Sequence, residues 1–428
     1  MAAPSYQAKM ILERILKNGS VEKRMAELQP RLPEDKPLPP GIPGGKEYTQ
    51  EGLEARWRLL KEMGIKHEQI AGRGEEIPPG ALEGNIENFI GFARIPLGII
   101  GPLRINGSEA QGDFYVPLAT TEGALIASYN RGAKVLSQAG GVTALCLTES
   151  VSRSPCFVFD NILEARHFLS WVLARLGTLQ EIISRTSRFC RLVDLKTTII
   201  GKELYLIFEY TTGDAAGQNM VTLATEAISK ELIAGSPVKP RHWYIEGNLS
   251  GDKKATMLAF TYARGKRVVA EATIPGRIVQ QFVHAEPQDL VRLWQVSVMG
   301  GIQSGSIGVQ GHYANALAAL FIACGQDAAC VSEAAIGLTR MDLTEKGDLY
   351  VSVSLPNLIV GTVGGGTHLP TMRECLEMID CYGAGRARKF AEICAATALA
   401  GEISIIGAMA AGHFARAHAT LGRKGSKS

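Results

Sequence analysis

Much of what usually betrays a protein's class is missing from these 428 residues. No uninterrupted apolar run reaches about 18 residues, so no membrane-spanning helix is expected. The opening stretch MAAPSYQAKMILERILKNGS lacks the basic start and apolar core of a signal peptide. Charge of one sign is also lacking: 45 Lys and Arg against 42 Asp and Glu leave a net +3, too mild and too evenly spread for a nucleic-acid partner. The eight cysteines form no CxxC pair and no zinc-ligand spacing. They sit in apolar segments such as FIACGQDAAC, the usage of a reducing, cytoplasmic compartment, and no metal is expected. Neither a Walker A motif nor GxGxxG occurs.

What is present is a large core-forming fraction, 46% hydrophobic, in a chain long enough for two or three domains. Residues 1–80 read as a separate N-terminal helical segment: a charged helical start, a proline-rich break at 32–45 (LPEDKPLPPGIPGG), then an amphipathic helix in TQEGLEARWRLLKEMGI. From 83 to 150 the chain turns extended and glycine-punctuated before a helix opening at TTEGALIASYNRGAKVL. Residues 155–244 mix strands (LVDLKTTII, KELYLIFEY) with two helices, a compact unit suited to insertion. Beyond 258, strand-like TYARGKRVVAEATI gives way to long Ala-, Gly- and Ile-rich helices.

Several stretches could carry chemistry. In EGNLSGDKKATM, Lys253 and Lys254 follow an aspartate within a Gly- and Ser-rich loop, where a solvated charge run is the plain alternative. Thr120 or Thr121 can cap the next helix and put Glu122 in its first turn, which the helix dipole alone would explain. The segment from Asn315 to Gln326 is apolar, so Asp327 is expected to enter a buried setting and to need a partner there. His413 and His418 lie five residues apart on a helical stretch, about 140° around its axis, so at most one faces any single site. Two loops can receive phosphates: DAAGQNM, with Asp214 as expected N-cap of a helix, and GTVGGGT after the alternating strand LYVSVSL. A bare tight turn accounts for either loop equally well.

In their order and spacing, ENFIGFARIPLGIIGPL, ATTEGALIASYNRG, DAAGQNM, GDKK, IACGQDAA, GTVGGGT and AAGHFARAH resemble 3-hydroxy-3-methylglutaryl-CoA reductases of the class I type, without a membrane anchor, over roughly residues 80–420. The resemblance implies an α+β protein: a large helical substrate domain around a long central helix (81–154 and 245–428) with an inserted ferredoxin-like NADP-binding domain (155–244). It implies reduction of the CoA thioester to mevalonate with two NADPH, NADH being the lesser expectation. It also implies a homodimer or dimer of dimers with the active site between subunits. Carried over, Lys253 would stabilise the oxyanion, Glu122 would donate a proton, Asp327 would hydrogen-bond and tune both, and His418 would protonate the departing thiolate. Arg153, Lys254 and Asn315 would contact substrate. Ser187, Arg188 and Phe189, then Asp214, Asn219 and Met220, then Val363, Gly364 and Gly365 would line the cofactor site, with Arg188 clamping a 2′-phosphate.

Two positions depart from the family. Glu246 stands where a serine is expected among the groups holding the substrate carboxylate, and Val296 falls near an expected lysine. The stretch GSIGVQGHYAN is also one residue short. Losing one partner of a buried charge pair typically costs about 2–5 kcal/mol. The departures therefore raise an alternative: a related reductase for a different acyl group, unless Glu246 turns away or pairs with an arginine.

Overall fold

The computed structural model describes residues 4–16, 20–45, 47–262 and 264–412. Both histidines of the C-terminal stretch, His413 and His418, lie outside the described residues.

The N-terminal segment carries α1 (Tyr6–Leu16), α2 (Val21–Glu27) and α3 (Gln50–Glu62). Ser20 and Thr49 cap the last two by accepting the N–H of Lys23 and of Gly52. This segment is bonded onto the body. Arg14 pairs with Glu149 at 2.7 Å, and Arg31 donates to Asn106 Oδ1 at 2.6 Å.

The body follows with β1 (Leu97–Gly107), β2 (Gln111–Ala119), α4 (Leu125–Gln138) and β3 (Val142–Arg153). Then come β4 (Cys156–Val158), α5 (Ile162–Leu173), α6 (Leu176–Ser184), β5 (Arg191–Ile200), β6 (Glu203–Thr211), α7 (Gln218–Gly235) and β7 (His242–Tyr244). The 155–244 stretch thus holds three helices where the sequence suggests two. The helical run after Asn161 is interrupted at Ala174 and Arg175, which separates α5 from α6.

The remainder is α8 (Leu258–Thr261), β8 (Gly265–Ile274), α9 (Gly276–Val283), α10 (Pro287–Ser304), α11 (Tyr313–Ala323), α12 (Val331–Ala334), β9 (Leu338–Leu343), β10 (Leu349–Leu358), α13 (Pro370–Met378) and α14 (Ala387–Ala410). One ten-stranded sheet runs in the order β7-β4-β6-β3-β8-β10-β9, with β1 and β2 joined through β3 and β5 on β6. The pivot is β3, antiparallel to β6 at its C-terminal end and to β8 before that. β10 alternates buried and half-buried positions over its first six residues, as a strand with one covered face should.

α14 is the longest helix among the described residues, with 24 residues. By length and composition it could cross a membrane, with a mean hydropathy of 1.7, but 83% of that stretch is buried inside the fold. It packs on α4, α11 and strands β3, β8 and β10, so the body around it is mixed helix and sheet, not chiefly helical. Glycines permit the closest crossing: a Cβ on Gly132 of α4 would collide with the Ala400 carbonyl of α14. The two acids on α14 are buried with their partners. Glu392 accepts from Ser108 Oγ and from the N–H groups of Glu109, Ala110 and Cys146. Glu402 accepts from Gly311 N, His312 N and Thr339 Oγ1.

Candidate active site

Some of the residues singled out in the sequence gather into two clusters, one at each end of α11. At its N-terminal end, Asn315 Nδ2 donates to Glu122 Oε2 at 2.6 Å. Glu122 is not in the first turn of a helix, as its sequence suggests. Ala124, in the left-handed region at φ 69°, delays the start of α4 to Leu125, and Thr120 Oγ1 accepts the N–H of Glu122 itself at 3.0 Å. Glu122 is therefore held in an exposed turn with its carboxylate toward α11.

A cavity of about 340 Å³ opens beside it, lined by Glu122, Ser128, Arg131, His312 and Asn315 among others. The Tyr129 hydroxyl donates to the His312 carbonyl at 2.8 Å and lies 2.6 Å from the His312 Nδ1. Burial pushes the imidazole down to about 4, so it is neutral at physiological pH. Sequence reasoning missed His312. The signal was its place three positions before Asn315.

At the other end of α11 the chain turns at Gly325 and presents Asp327 on the surface, its side chain 38% exposed. The buried setting expected for Asp327 is not what forms, because the apolar helix ends at Ala323 and the left-handed Gly325 turns the chain outward. The partner is there all the same: Lys253 Nζ lies 2.8 Å from Asp327 Oδ2. The other carboxylate oxygen accepts Ala329 N–H at 3.0 Å and so fixes the turn after it. The hydrogen bond from Lys253 raises the lysine above its ordinary value. Burial pushes the Asp327 carboxyl up, but the bonds from Lys253 and Ala329 outweigh it and hold the group below its usual range.

Both phosphate-type loops meet at this end. Asp214 does not cap its own helix: α7 starts from Gly217, at φ 85°, with no side-chain cap. Asp214 instead accepts Gly385 N–H at 2.7 Å and Ala387 N–H at 3.0 Å, capping α14. Gly361 N–H donates to Gln326 Oε1 at 2.8 Å. A Cβ on Gly361 would strike Ala216 N, so DAAGQNM and GTVGGGT pack backbone on backbone. Gly364 and Gly365, at φ 73° and 55°, face open space. Gln218, the first residue of α7, reaches Asp327 Oδ2 at 3.4 Å and was not recognised in the sequence. Asn219 is exposed, Met220 packs on the core and Val363 is half-buried.

Arg153 is buried and bonded to Asp252 at 2.8 Å and to Glu246 at 3.4 Å. Glu246 also accepts Ser154 N–H and the Ser250 hydroxyl. Lys254 Nζ bonds the Asp252 carbonyl at 2.9 Å. Ser187 Oγ accepts Phe189 N–H, and the Arg188 guanidinium lies 4.8 Å from the Phe189 ring centre on the loop between α6 and β5. Among the described residues these three form no hydrogen bond or ion pair with the two phosphate-type loops.

Known proteins resemble this chain over most of its length. The family profile described as hydroxymethylglutaryl-coenzyme A reductase matches residues 52–423. The chain is 45% identical over 376 residues to the 3-hydroxy-3-methylglutaryl-coenzyme A reductase of Pyrococcus horikoshii, covering 86% of this chain and 90% of that one. It is 40% identical over 377 residues to that of Methanocaldococcus jannaschii, covering 85% and 91%. A class II reductase of Streptococcus pneumoniae bound to NADPH shares the fold, with a TM-score of 0.69 at 19% identity over 85% of this chain and 97% of that one. With one profile spanning both ends of α11, both phosphate-type loops and the lysine loop, the chain belongs to the hydroxymethylglutaryl-coenzyme A reductase family.

Proposed function

We propose that the protein reduces 3-hydroxy-3-methylglutaryl-CoA to mevalonate and CoA with two NADPH in turn. The observation that carries this reading is Gln218. It opens α7 at the expected cofactor loop and touches Asp327, the partner of Lys253. That contact supports a reading in which the hydride source and the carbonyl-polarising cation are neighbours.

The residues present suit the cofactor. The N-terminus of α7 has no side-chain cap, so its amides and dipole suit a pyrophosphate. Open space over Gly364 and Gly365 admits a ligand close to backbone. Arg188, exposed and without a carboxylate partner among the described residues, suits a 2′-phosphate and favours NADPH over NADH. Bound NADPH supplies the hydrides. In the proposed division of the chain, 155–244 carries the cofactor, 81–154 and 245–428 carry the CoA thioester, and 1–80 is the N-terminal segment. The Lys253 ammonium holds the oxyanion formed as the carbonyl carbon is reduced. Glu122 donates the proton of the later reduction, and His418 protonates the leaving thiolate. Eight buried, free cysteines suit a reducing compartment such as the cytoplasm.

A site built between two copies of the chain is part of the proposal. Glu122 and Lys253 stand at opposite ends of α11, whose 11 residues span roughly 16 Å. One chain does not bring them together, whereas two chains related by a two-fold axis can. Apolar side chains exposed on segment 84–96 (Ile86, Ile90, Phe92) and on α10 (Val296, Met299, Ile302) offer the surface for it.

The alternative acyl group is not favoured. Glu246 is spent on Arg153, Ser154 and Ser250, and the relatives carrying the reductase name cover most of the chain. The test is NADPH oxidation with hydroxymethylglutaryl-CoA, the product identified by mass. Mevalonate at two NADPH per CoA released supports the reading. Bound NADPH without turnover overturns it.

A further inference from the structure

The loop carrying Lys253 is held in a conformation that side chains with a Cβ rarely adopt. Lys253 has φ 54° and Asn248 φ 64°, both left-handed. Such a backbone persists only where its surroundings impose it, and here the imposing group is Glu333. Its wholly buried carboxylate accepts the Lys253 backbone N–H at 3.0 Å. The same carboxylate takes Arg264 Nη1 at 2.6 and 2.7 Å and Asn357 Nδ2 at 3.0 Å. Arg264, only 2% exposed, reaches on through Nη2 to Asp252 Oδ1 at 2.7 Å, immediately before Lys253. The other oxygen of Asp252 is taken by Arg153.

Asp327 and Glu333 lie six positions apart on one short segment. One grips the ammonium of Lys253 and the other its backbone. We infer that Glu333 and Arg264 are positioning residues: they set the backbone of Lys253 at a fixed distance from Asp327, so that the ammonium is aimed before substrate arrives. The inference rests on the role of Lys253 proposed above. A buried ion pair is weak evidence of stability, since apolar residues of similar size often serve as well. Apolar residues cannot accept the Lys253 N–H, and that is what the carboxylate supplies.

The two roles predict opposite rankings for two variants. Glu333→Gln keeps an acceptor for Lys253 N–H but breaks the ion pair. The double variant Arg264→Met, Glu333→Leu removes both charges and the acceptor together. Positioning predicts that Glu333→Gln keeps most of the parent kcat, while the double variant folds but loses roughly tenfold or more in kcat at unchanged KM for NADPH, the mark of a misplaced group. A merely stabilising pair predicts the reverse order.

A second readout needs no turnover. The rate of Lys253 acylation against pH, followed by peptide mass spectrometry with Lys254 as internal reference, reports how firmly Asp327 holds the ammonium. In the double variant the Lys253 rate near pH 9 should rise about threefold or more, because the reactive fraction grows tenfold per unit fall in pKa. Parent-like kcat and parent-like Lys253 reactivity in the double variant would overturn the inference. So would equal loss in both variants in step with melting temperature. Should Glu333→Gln not fold, the double variant decides by Lys253 reactivity. Should the parent not reduce hydroxymethylglutaryl-CoA, the proposed activity fails while the same reactivity still decides the positioning role.

Discussion

The Lys253 ammonium stands 2.8 Å from the Asp327 carboxylate, and the pair moves the two groups apart in acidity: lysine up, aspartate down. Each stabilises the charged form of the other, so the cation persists to higher pH than an isolated lysine would. Asp327→Asn removes that support. The alkaline limb of the kcat profile should move to lower pH, with kcat at its plateau reduced on the order of a hundredfold. An alkaline limb left in place would mean that Lys253 is not the group whose charge the reaction needs.

Gly361 is where the two phosphate-type loops touch. Its Cβ position is occupied by Ala216 N and lies close to Asp214 O, both backbone, so an alanine there must separate the loops. Gly361→Ala should weaken NADPH binding by roughly tenfold or more, about 1.4 kcal/mol, measured by fluorescence titration. Binding of the CoA thioester, proposed to involve Glu122 and Asn315 at the opposite end of α11, should suffer less.

Glu392 carries a pH dependence of stability. Burial pushes its carboxyl up to about 7, against the downward pull of the Ser108 hydroxyl and three backbone N–H groups. The folded state therefore binds this proton more tightly than the unfolded chain, whose carboxyl titrates near 4.5. The resulting stabilisation is complete below the unfolded value and is lost as pH rises through about 7, some 3 kcal/mol in all by linkage. Calorimetry from pH 5 to 8 should show the melting temperature falling. Glu392→Gln should flatten that component while lowering stability throughout, because its amide nitrogen meets backbone donors.

Glu246 holds Arg153 at 3.4 Å, and Asp252 already holds it at 2.8 Å. Two carboxylates on one guanidinium leave little net charge for a substrate carboxylate. Glu246→Ser restores the residue the family pattern expects and should lower KM for hydroxymethylglutaryl-CoA about tenfold with kcat little changed, the signature of added uniform binding. An unchanged KM would place Arg153 outside the substrate site.

What the sequence disclosed and what it hid follow one physical rule. Local signals survived: the amphipathic run after Thr49 gives α3, and the Ala-, Gly- and Ile-rich stretch beyond 258 contains the core helix α14. Signals that depend on a backbone dihedral did not. Ala124 and Gly217, both left-handed, move the starts of α4 and α7 and strip Glu122 and Asp214 of the helix positions their residue types suggest. Partners distant in the chain were also illegible. Nothing near Lys253 in the sequence points to Glu333 or Arg264, and nothing in DAAGQNM says that Asp214 caps a helix 173 residues away. Asp327 shows both cases: its partner was foreseeable from its type, its exposure was not.

The arrangement of Glu122 and Lys253 at opposite ends of α11 gives the two-chain site its most direct test. Glu122→Gln and Lys253→Met should each be inactive alone. If each site takes Glu122 from one copy and Lys253 from the other, a dimer of the two variants contains one site with both defects and one with neither. Random mixing puts half the dimers in that form, so about a quarter of parental activity should return after denaturation and refolding together. Sites contained within single chains would regain nothing, since every site would keep its own defect. Light scattering on the same samples must show dimers or tetramers; a monomer with full activity would remove the two-chain site altogether.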